Sequence, residues 1–355
     1  MSFQPEKLYV ESAASGYPVT NSIIEKLDFM DPVIVDSVKD VPRDHGRQSL
    51  ILAEQKADFY KNCPGTHNYI CCGYRILNLI NNCEIGCTYC VLQGYLESPH
   101  IVVYVNKDDM FKELERLFRG HPGHLFRIGT GELADSLSTD HLTEYSRELV
   151  RFFADKPNAI IELKTKTVQI ENFLHEDHGG RTVVSWSLNT PRMIASEESN
   201  APGLEERLSA ARECEKRGFK IGFHFDPMIY YPEWENEYHE TVDKIFEYVK
   251  PDSIIWISLG ALRYPPHLDQ IIRENHPDSK IVYGELFPGI DGKMRYFKAI
   301  RINMFRKMHA WLKSHDKDLF IYLCMSSSEI WQKSFGWSPE NSGRLKKIMD
   351  RLIVD

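Results

Sequence analysis

Between residues 73 and 258, short apolar runs alternate with amphipathic stretches, and that alternation sets the expected architecture. The runs at 74–80, 124–128, 159–164, 182–188, 219–225 and 253–258 are rich in Ile, Val, Leu and Phe. Their length and composition are those of buried strands. Between them, 109–118, 139–153, 204–217 and 234–249 place apolar residues at helical spacing, and 168–174 reads as a short helix. Strands alternating with helices predict an α/β fold with a parallel sheet and crossover helices. Six such units describe an open, partial (β/α)6 barrel, a design in which ligands bind at the C-terminal strand ends.

The flanks follow other patterns. Residues 1–70 read as a small N-terminal α/β module, with strands at 8–10 and 33–35 around a helix at 21–27 and a helix-compatible run at 49–59. From residue 266 a strand at 280–285, a helix at 294–314 and a strand at 318–323 suggest a C-terminal α/β cap over the barrel mouth. The expected domains are therefore 1–70, 71–265 and 266–355. A chain of 355 residues with 42% hydrophobic and 26% charged positions is ordinary for a globular protein. No apolar run approaches the ~18 residues of a membrane-spanning helix, so no membrane role is expected. The formal net charge of −8 weighs against broad, non-specific nucleic-acid binding.

Cysteine placement supplies the chemistry. Cys83, Cys87 and Cys90 stand at C-x3-C-x2-C spacing where the first barrel strand opens into a loop. Three thiolates on so short a loop suit a soft metal centre, and iron–sulfur clusters are held by such runs. A zinc site completed from elsewhere is the bland alternative, although zinc more often joins two C-x2-C pairs. Clustered thiols, and an opening Met1-Ser2-Phe3-Gln4-Pro5-Glu6 without the layout of a leader, make the reducing cytoplasm the expected location. Cys63, Cys71 and Cys72 precede the loop, either as core cysteines or as thiols serving the same site.

The strand ends offer the remaining candidates. Gly129-Thr130-Gly131-Glu132 places two glycines and a carboxylate at the second strand end. Lys166 follows the third, and Ser185, Ser187 and Asn189 alternate along the fourth. His224 and Asp226 end the fifth, and Arg263 follows the sixth.

The C-x3-C-x2-C loop resembles that of the radical S-adenosylmethionine (SAM) enzymes, in which three cysteines hold a [4Fe-4S] cluster. There the open iron binds SAM, whose reductive cleavage gives a 5'-deoxyadenosyl radical that abstracts a substrate hydrogen atom. Further matches narrow the resemblance to the spore photoproduct lyase family, which repairs a methylene-bridged thymine dimer in DNA. They include Lys7-Leu8-Tyr9-Val10-Glu11, Leu92-Gln93, Tyr104-Val105-Asn106, Asp140-His141-Leu142-Thr143, Thr165-Lys166, Ser187-Leu188-Asn189, Trp234-Glu235 and Arg263. The resemblance implies that Cys83, Cys87 and Cys90 bind the cluster, and that Gly131, Glu132, Lys166, Ser187, Asn189 and Arg263 surround SAM. It places the pair Arg295-Tyr296 toward the substrate, while His224 and Asp226, read from the fifth strand end alone, are either substrate contacts or a structural pair. It also implies an electron donor such as a flavodoxin or ferredoxin.

Two departures stand against these matches. The family carries an Ala-Cys-Thr-Ser-Asp stretch after the second strand, whose cysteine returns a hydrogen atom to the product radical. Here Gly129 to Asp135 holds no cysteine. The family's tyrosine directly after the last cluster cysteine is Val91 in this chain. Catalytic residues therefore stay unassigned, as do the oligomeric state and the substrate, with a non-DNA substrate the alternative. A radical formed at a strand-end mouth would lie far from Cys71 and Cys72 if both begin the first strand, so neither is expected to donate.

Overall fold

A computed structural model describes residues 3–63 and 68–354. The strands in chain order are β1 (Lys7–Glu11), β2 (Val33–Val35), β3 (Ser49–Ala53), β4 (Tyr60–Asn62), β5 (Arg75–Leu77) and β6 (Ile80–Asn81). They continue as β7 (Ile101–Tyr104), β8 (Phe126–Gly129), β9 (Ala159–Thr165), β10 (Thr182–Ser187), β11 (Lys220–Met228) and β12 (Ile254–Ala261). The last four are β13 (Arg263–Tyr264), β14 (Leu286–Pro288), β15 (Met294–Tyr296) and β16 (Ile321–Leu323).

The main sheet has eight strands in the order β16-β12-β11-β10-β9-β8-β5-β4, curled into a half barrel. All its neighbours run parallel except β4 and β5. Its crossover helices include Lys107–Gly120, Tyr145–Ala154, Leu204–Lys216 and Trp234–Tyr248. The sheet is covered on its outer face by these helices, and Trp186, Phe223, Phe225 and Ile257 are fully buried. Continuous apolar strands of this kind are expected where a parallel sheet has both faces covered.

A second sheet, ordered β2-β1-β3-β7-β6, carries the N-terminal residues and takes two strands from beyond residue 70. Within the helix-compatible run at 49–59, residues 49–53 are the strand β3, all five buried between β1 and β7, and 54–59 are irregular. Burial on both faces removes the alternation that would have marked it as a strand. The run at 74–80 splits into β5 and β6, which belong to different sheets.

The C-terminal region also departs from the expected pattern. Residues 280–285 form turns, with Ile281 and Val282 buried in the core without a strand partner. Met294–Tyr296 is a strand, and the helix begins only at Lys298. Residues 171–175 form turns where a short helix was expected. β16 adds a seventh parallel position to the barrel sheet beside β12. The hairpin β14–β15 pairs with β13 as a separate three-stranded sheet at the barrel mouth. Among the described residues, no helix is long and apolar enough to cross a membrane.

The open side of the half barrel is closed by the chain that precedes β5. Ile70 forms an antiparallel bridge with Ser326, just after β16, its N–H donating over 3.1 Å. The neighbouring Cys71 N–H donates to Ser342 Oγ at 2.9 Å. Residues 70–73 therefore lie across the gap between β16 and β5 instead of starting a strand.

Candidate active site

The C-terminal ends of β8 to β12 and β16 enclose a cavity of about 320 Å³. Side chains alternate across a strand, so Glu162, Lys164 and Lys166 on β9 and beyond share one face, as do His224 and Asp226 on β11. The ladder register sets Ser187 beside His224, His224 beside Ser258, and Ser258 beside Tyr322. These residues form the polar wall of the cavity.

Cys83, Cys87 and Cys90 face the same space from the loop after β6. Gly86 allows the tight path between the first two, because its φ of 66° is a left-handed conformation that a side chain disfavours. The loop is fastened at both ends. Asn82 N–H donates to Leu133 O at 2.7 Å, and its amide donates to Pro99 O at 2.8 Å. Thr88 N–H donates to Glu197 O at 2.9 Å, and the Thr88 hydroxyl bonds the Glu197 carboxylate.

The last anchor is a buried charge network. The Tyr89 hydroxyl donates to Glu198, which also accepts from Arg207 at 2.6 Å and lies 3.6 Å from the Lys166 ammonium. Thus one carboxylate ties the cysteine loop to the helix Leu204–Lys216 and to the end of β9.

Three further pairs govern the wall's electrostatics. Glu162 accepts from Trp256 at 3.0 Å and pairs with His224 at 2.9 Å, while His224 Nδ1 lies 2.7 Å from the Ser258 hydroxyl. Burial works against the Glu162 charge, yet His224 and Ser185 hold its carboxyl down at about 2. Lys164 donates to Glu132 at 2.9 Å. Burial opposes the Lys164 charge, but Glu132 raises its pKa above the usual lysine range. Arg263 donates to both Asp226 oxygens, at 2.8 and 3.0 Å, and holds that carboxyl below its ordinary value despite burial. The cavity thus presents fixed charges of both signs, largely already paired.

Of the residues singled out in the sequence, Cys83, Cys87, Cys90, Gly131, Glu132, Lys166, Ser187, His224, Asp226 and Arg263 line this one cavity. Gly131 is needed for close approach, since a Cβ there would lie 2.7 Å from Lys164 Cβ and 2.8 Å from Lys164 O. Ser185, Asn189, Arg295 and Tyr296 are not on the cavity wall, and the Ser185 hydroxyl instead donates to Glu162. Asn189 lies beyond the end of β10, where alternation no longer applies, and instead accepts from Tyr238 at 2.6 Å and donates to Pro227 O. Arg295 is turned to Asp291 at 2.5 Å and stacks over Tyr69, and the buried Tyr296 hydroxyl accepts from Tyr230 N–H.

Glu162, Lys164, Ser258 and Cys324 also line the cavity and were not singled out in the sequence. Counting back by twos from Lys166 would have found the first two. Cys71 and Cys72 were expected to be remote, and they too face the cavity. The cause is the fold-back of residues 70–73 across the barrel gap.

Comparison with known proteins gives this geometry a family. A profile described as spore photoproduct lyase matches residues 3–287. The chain belongs to the spore photoproduct lyase family. The spore photoproduct lyase of Geobacillus sp. (strain Y412MC61) is 22% identical over 294 residues, covering 79% of this chain and 84% of that one. That of Bacillus subtilis (strain 168) is 23% identical over 299 residues, covering 80% and 85%. A solved spore photoproduct lyase complexed with dinucleoside spore photoproduct shares the fold with a TM-score of 0.81 at 21% identity, over 91% of this chain and 99% of that one. A variant with bound AdoMet and the same dinucleoside matches equally well.

Membership makes this chain a radical SAM enzyme and sets aside the zinc-stabilised binding protein. It also locates the departure. Asp135 accepts from the N–H groups of Leu137, Ser138 and Lys166 and from the Thr165 hydroxyl, pinning the loop after β8 to the end of β9. With the family's Ala-Cys-Thr-Ser-Asp stretch set in register on Asp135, its cysteine falls at Glu132.

Proposed function

We propose that Cys83, Cys87 and Cys90 hold a [4Fe-4S] cluster beside a SAM site, and that the enzyme acts on a thymine-dimer lesion of the spore photoproduct type in DNA. The observation that carries this reading is the convergence of the three loop thiols with Glu132, Lys166 and Ser187 on one cavity at the strand ends. The donor set suits such a group. Burial first, then Glu84, Cys90, Asp135 and Cys87, push the Cys83 thiol well above its ordinary value, and burial pushes Cys87 up to about 12. Mutually repelling buried thiolates need a cationic centre between them. Among the described residues, no three His, Cys, Asp or Glu side chains are grouped as ligands of a single metal ion. Bound there by Cys83, Cys87 and Cys90, such a cluster would supply the electron for reductive cleavage of SAM.

The chain's own residues bind, orient and shield. Glu132, paired with Lys164, offers a carboxylate for the SAM ammonium group, and Gly131 keeps the backbone close. Lys166, held by Glu198, and Ser187 supply polar contacts beside the cysteine loop. At the mouth, the hairpin β14–β15 exposes Phe287 and Ile290 next to exposed Phe297 and Tyr283, and Lys293 reaches the cavity wall. Apolar and aromatic side chains on a hairpin beside a deep pocket suit stacking on bases around an extruded lesion. A flavodoxin or ferredoxin is the fitting electron donor, in a reducing cytoplasm. Glu132 in place of the family's cysteine, together with the formal charge of −8, favours a non-DNA substrate as the second reading.

The test is anaerobic reconstitution with iron and sulfide. The wild type should bind four irons and cleave SAM to 5'-deoxyadenosine under a low-potential reductant, as expected for a cluster of this class. Cys83→Ala, Cys87→Ala and Cys90→Ala should each lose most of the iron and the cleavage. Full iron and cleavage in Cys87→Ala would remove the basis of this reading.

A further inference from the structure

The cysteine loop shows its thiols to the cavity, and its backbone carbonyls find their partners behind it. The turn from Cys87 to Cys90 is closed by the Cys90 N–H, which donates to Cys87 O at 3.0 Å. Three carbonyls of this turn converge on one side chain. Gln93, in the short helix Leu92–Tyr95, donates from its amide nitrogen to Thr88 O at 2.9 Å and Cys87 O at 3.3 Å, with Cys90 O at 3.5 Å. An amide NH2 carries two hydrogens, so Thr88 O and Cys87 O take them and Cys90 O shares. Gln93 itself stands off the cavity wall.

The other end of the amide is fixed as well. Gln93 Oε1 accepts from Asn275 Nδ2 at 3.4 Å and faces His276 Nε2 at 3.3 Å, at the end of the helix His267–Asn275. An amide oxygen accepts and does not donate, so His276 carries a hydrogen on Nε2. Exchanging the amide's oxygen and nitrogen would set an oxygen against three carbonyls and an NH2 against two donors. The contacts therefore determine which way Gln93 points. Asn200 and Arg47 fasten the start of the same loop, Asn200 donating to Glu84 O at 2.9 Å and Arg47 to Asn82 Oδ1 at 3.4 Å. Gln93 acts at the turn that carries two of the three thiols.

We propose that Gln93 is a positioning residue for the cluster site: oriented by Asn275 and His276, it holds the Cys87–Cys90 turn with carbonyls outward and thiols inward before iron binds. Three thiolates gather negative charge, and carbonyl oxygens turned inward would add to it. Capped by Gln93 on the outer side, they do not. The helix His267–Asn275, which follows β13 outside the barrel sheet, thereby serves the cluster.

The proposal rests on the cluster reading above, and the experiment separates the two. Its first readout is amide hydrogen exchange in the full, iron-free chain, followed by mass spectrometry over residues 83–91. Gln93→Met keeps the length of the side chain and removes both donors. Gln93→Glu keeps the shape and sets a carboxylate against the carbonyls. Exchange in this segment should quicken by at least about tenfold in Gln93→Met, and further in Gln93→Glu, because the turn opens locally once its carbonyls lose their donor. A packing role would leave Gln93→Glu as wild type. Asn275→Ala with His276→Ala should quicken exchange by a smaller factor, about threefold. Unchanged exchange in the helix Leu204–Lys216 shows that each variant is folded. After reconstitution, iron should pass to a chelator at least about tenfold faster from Gln93→Met than from wild type, and the cluster's reduction potential should fall. Wild-type exchange in Gln93→Glu, or in the Asn275→Ala, His276→Ala double variant, would overturn the proposal. A wild type that takes up no iron would instead strike the cluster reading, with the exchange result still standing.

Discussion

Replacing Glu198 by Gln removes one negative charge and leaves the shape of the side chain intact. The carboxylate is 1% exposed and faces Arg207, which is 0% exposed, at 2.6 Å, with Lys166 at 3.6 Å. Glutamine would leave two cations without their counter-charge, one of them wholly buried. Removing one partner of a buried pair costs ~3–5 kcal/mol, whereas an exposed pair contributes ~0–1. Because domain stabilities are only ~5–15 kcal/mol, the loss should be unmistakable. The assay is urea unfolding of the iron-free protein, with unchanged slope and a lowered midpoint. Arg207→Met should be destabilising by itself, and the double variant should lose less than the sum, since the stranded charge is gone. The same variant takes the charge from the acceptor of the Tyr89 hydroxyl and so weakens that bond, and iron retained after reconstitution should fall with stability. A Glu198→Gln midpoint equivalent to less than ~1 kcal/mol of loss would refute the idea that this carboxylate braces the loop.

Three other outcomes are expected. Glu162 is held at about 2 against an ordinary 4.5. A depressed carboxyl contributes its full stability above the unfolded value and loses it as pH falls through the folded one, here ~3 kcal/mol between about pH 5 and 2. Glu162→Gln should flatten that part of the unfolding-midpoint profile, and an unchanged acid limb would show that His224 does not hold the charge. Glu132→Gln should weaken SAM binding by roughly one to two orders of magnitude, read by calorimetry, because a charge-assisted contact contributes ~1.5–3 kcal/mol. Equal affinity would return Glu132 to a purely structural pairing with Lys164. Phe287→Ala with Ile290→Ala should weaken binding of lesion-bearing duplex by ~1–3 kcal/mol per lost stack without changing SAM affinity, and unchanged DNA binding would move the interface elsewhere.

How much of this was legible in the sequence depends on how each element is buried. The strands β8 to β12 were readable because parallel strands covered on both faces are continuous apolar runs bounded by polar turns. β3 has the same character, but the helix-compatible residues after it concealed it until its neighbours β1 and β7 were known. Turns at 280–285 looked like a strand because Ile281 and Val282 are buried, and a buried apolar pair carries no information about its ladder partner. Within the site, the cysteine spacing and the strand-end alternation placed most of the cavity wall. Alternation misled at Asn189, where the strand had already ended at Ser187. Cys63, Cys71, Cys72 and Cys324 were not legible as one group, because a single bridge between Ile70 and Ser326 joins segments some 250 residues apart.

The most direct test of the account is turnover of the reconstituted enzyme on a defined lesion. Under strict anaerobiosis, with SAM and a low-potential reductant, it should convert dinucleoside spore photoproduct to thymines and form 5'-deoxyadenosine, and Cys87→Ala should do neither. Cleavage of SAM with the lesion recovered intact, at every reductant and salt concentration tried, would contradict the lesion assignment and leave the non-DNA substrate as the reading of this cavity.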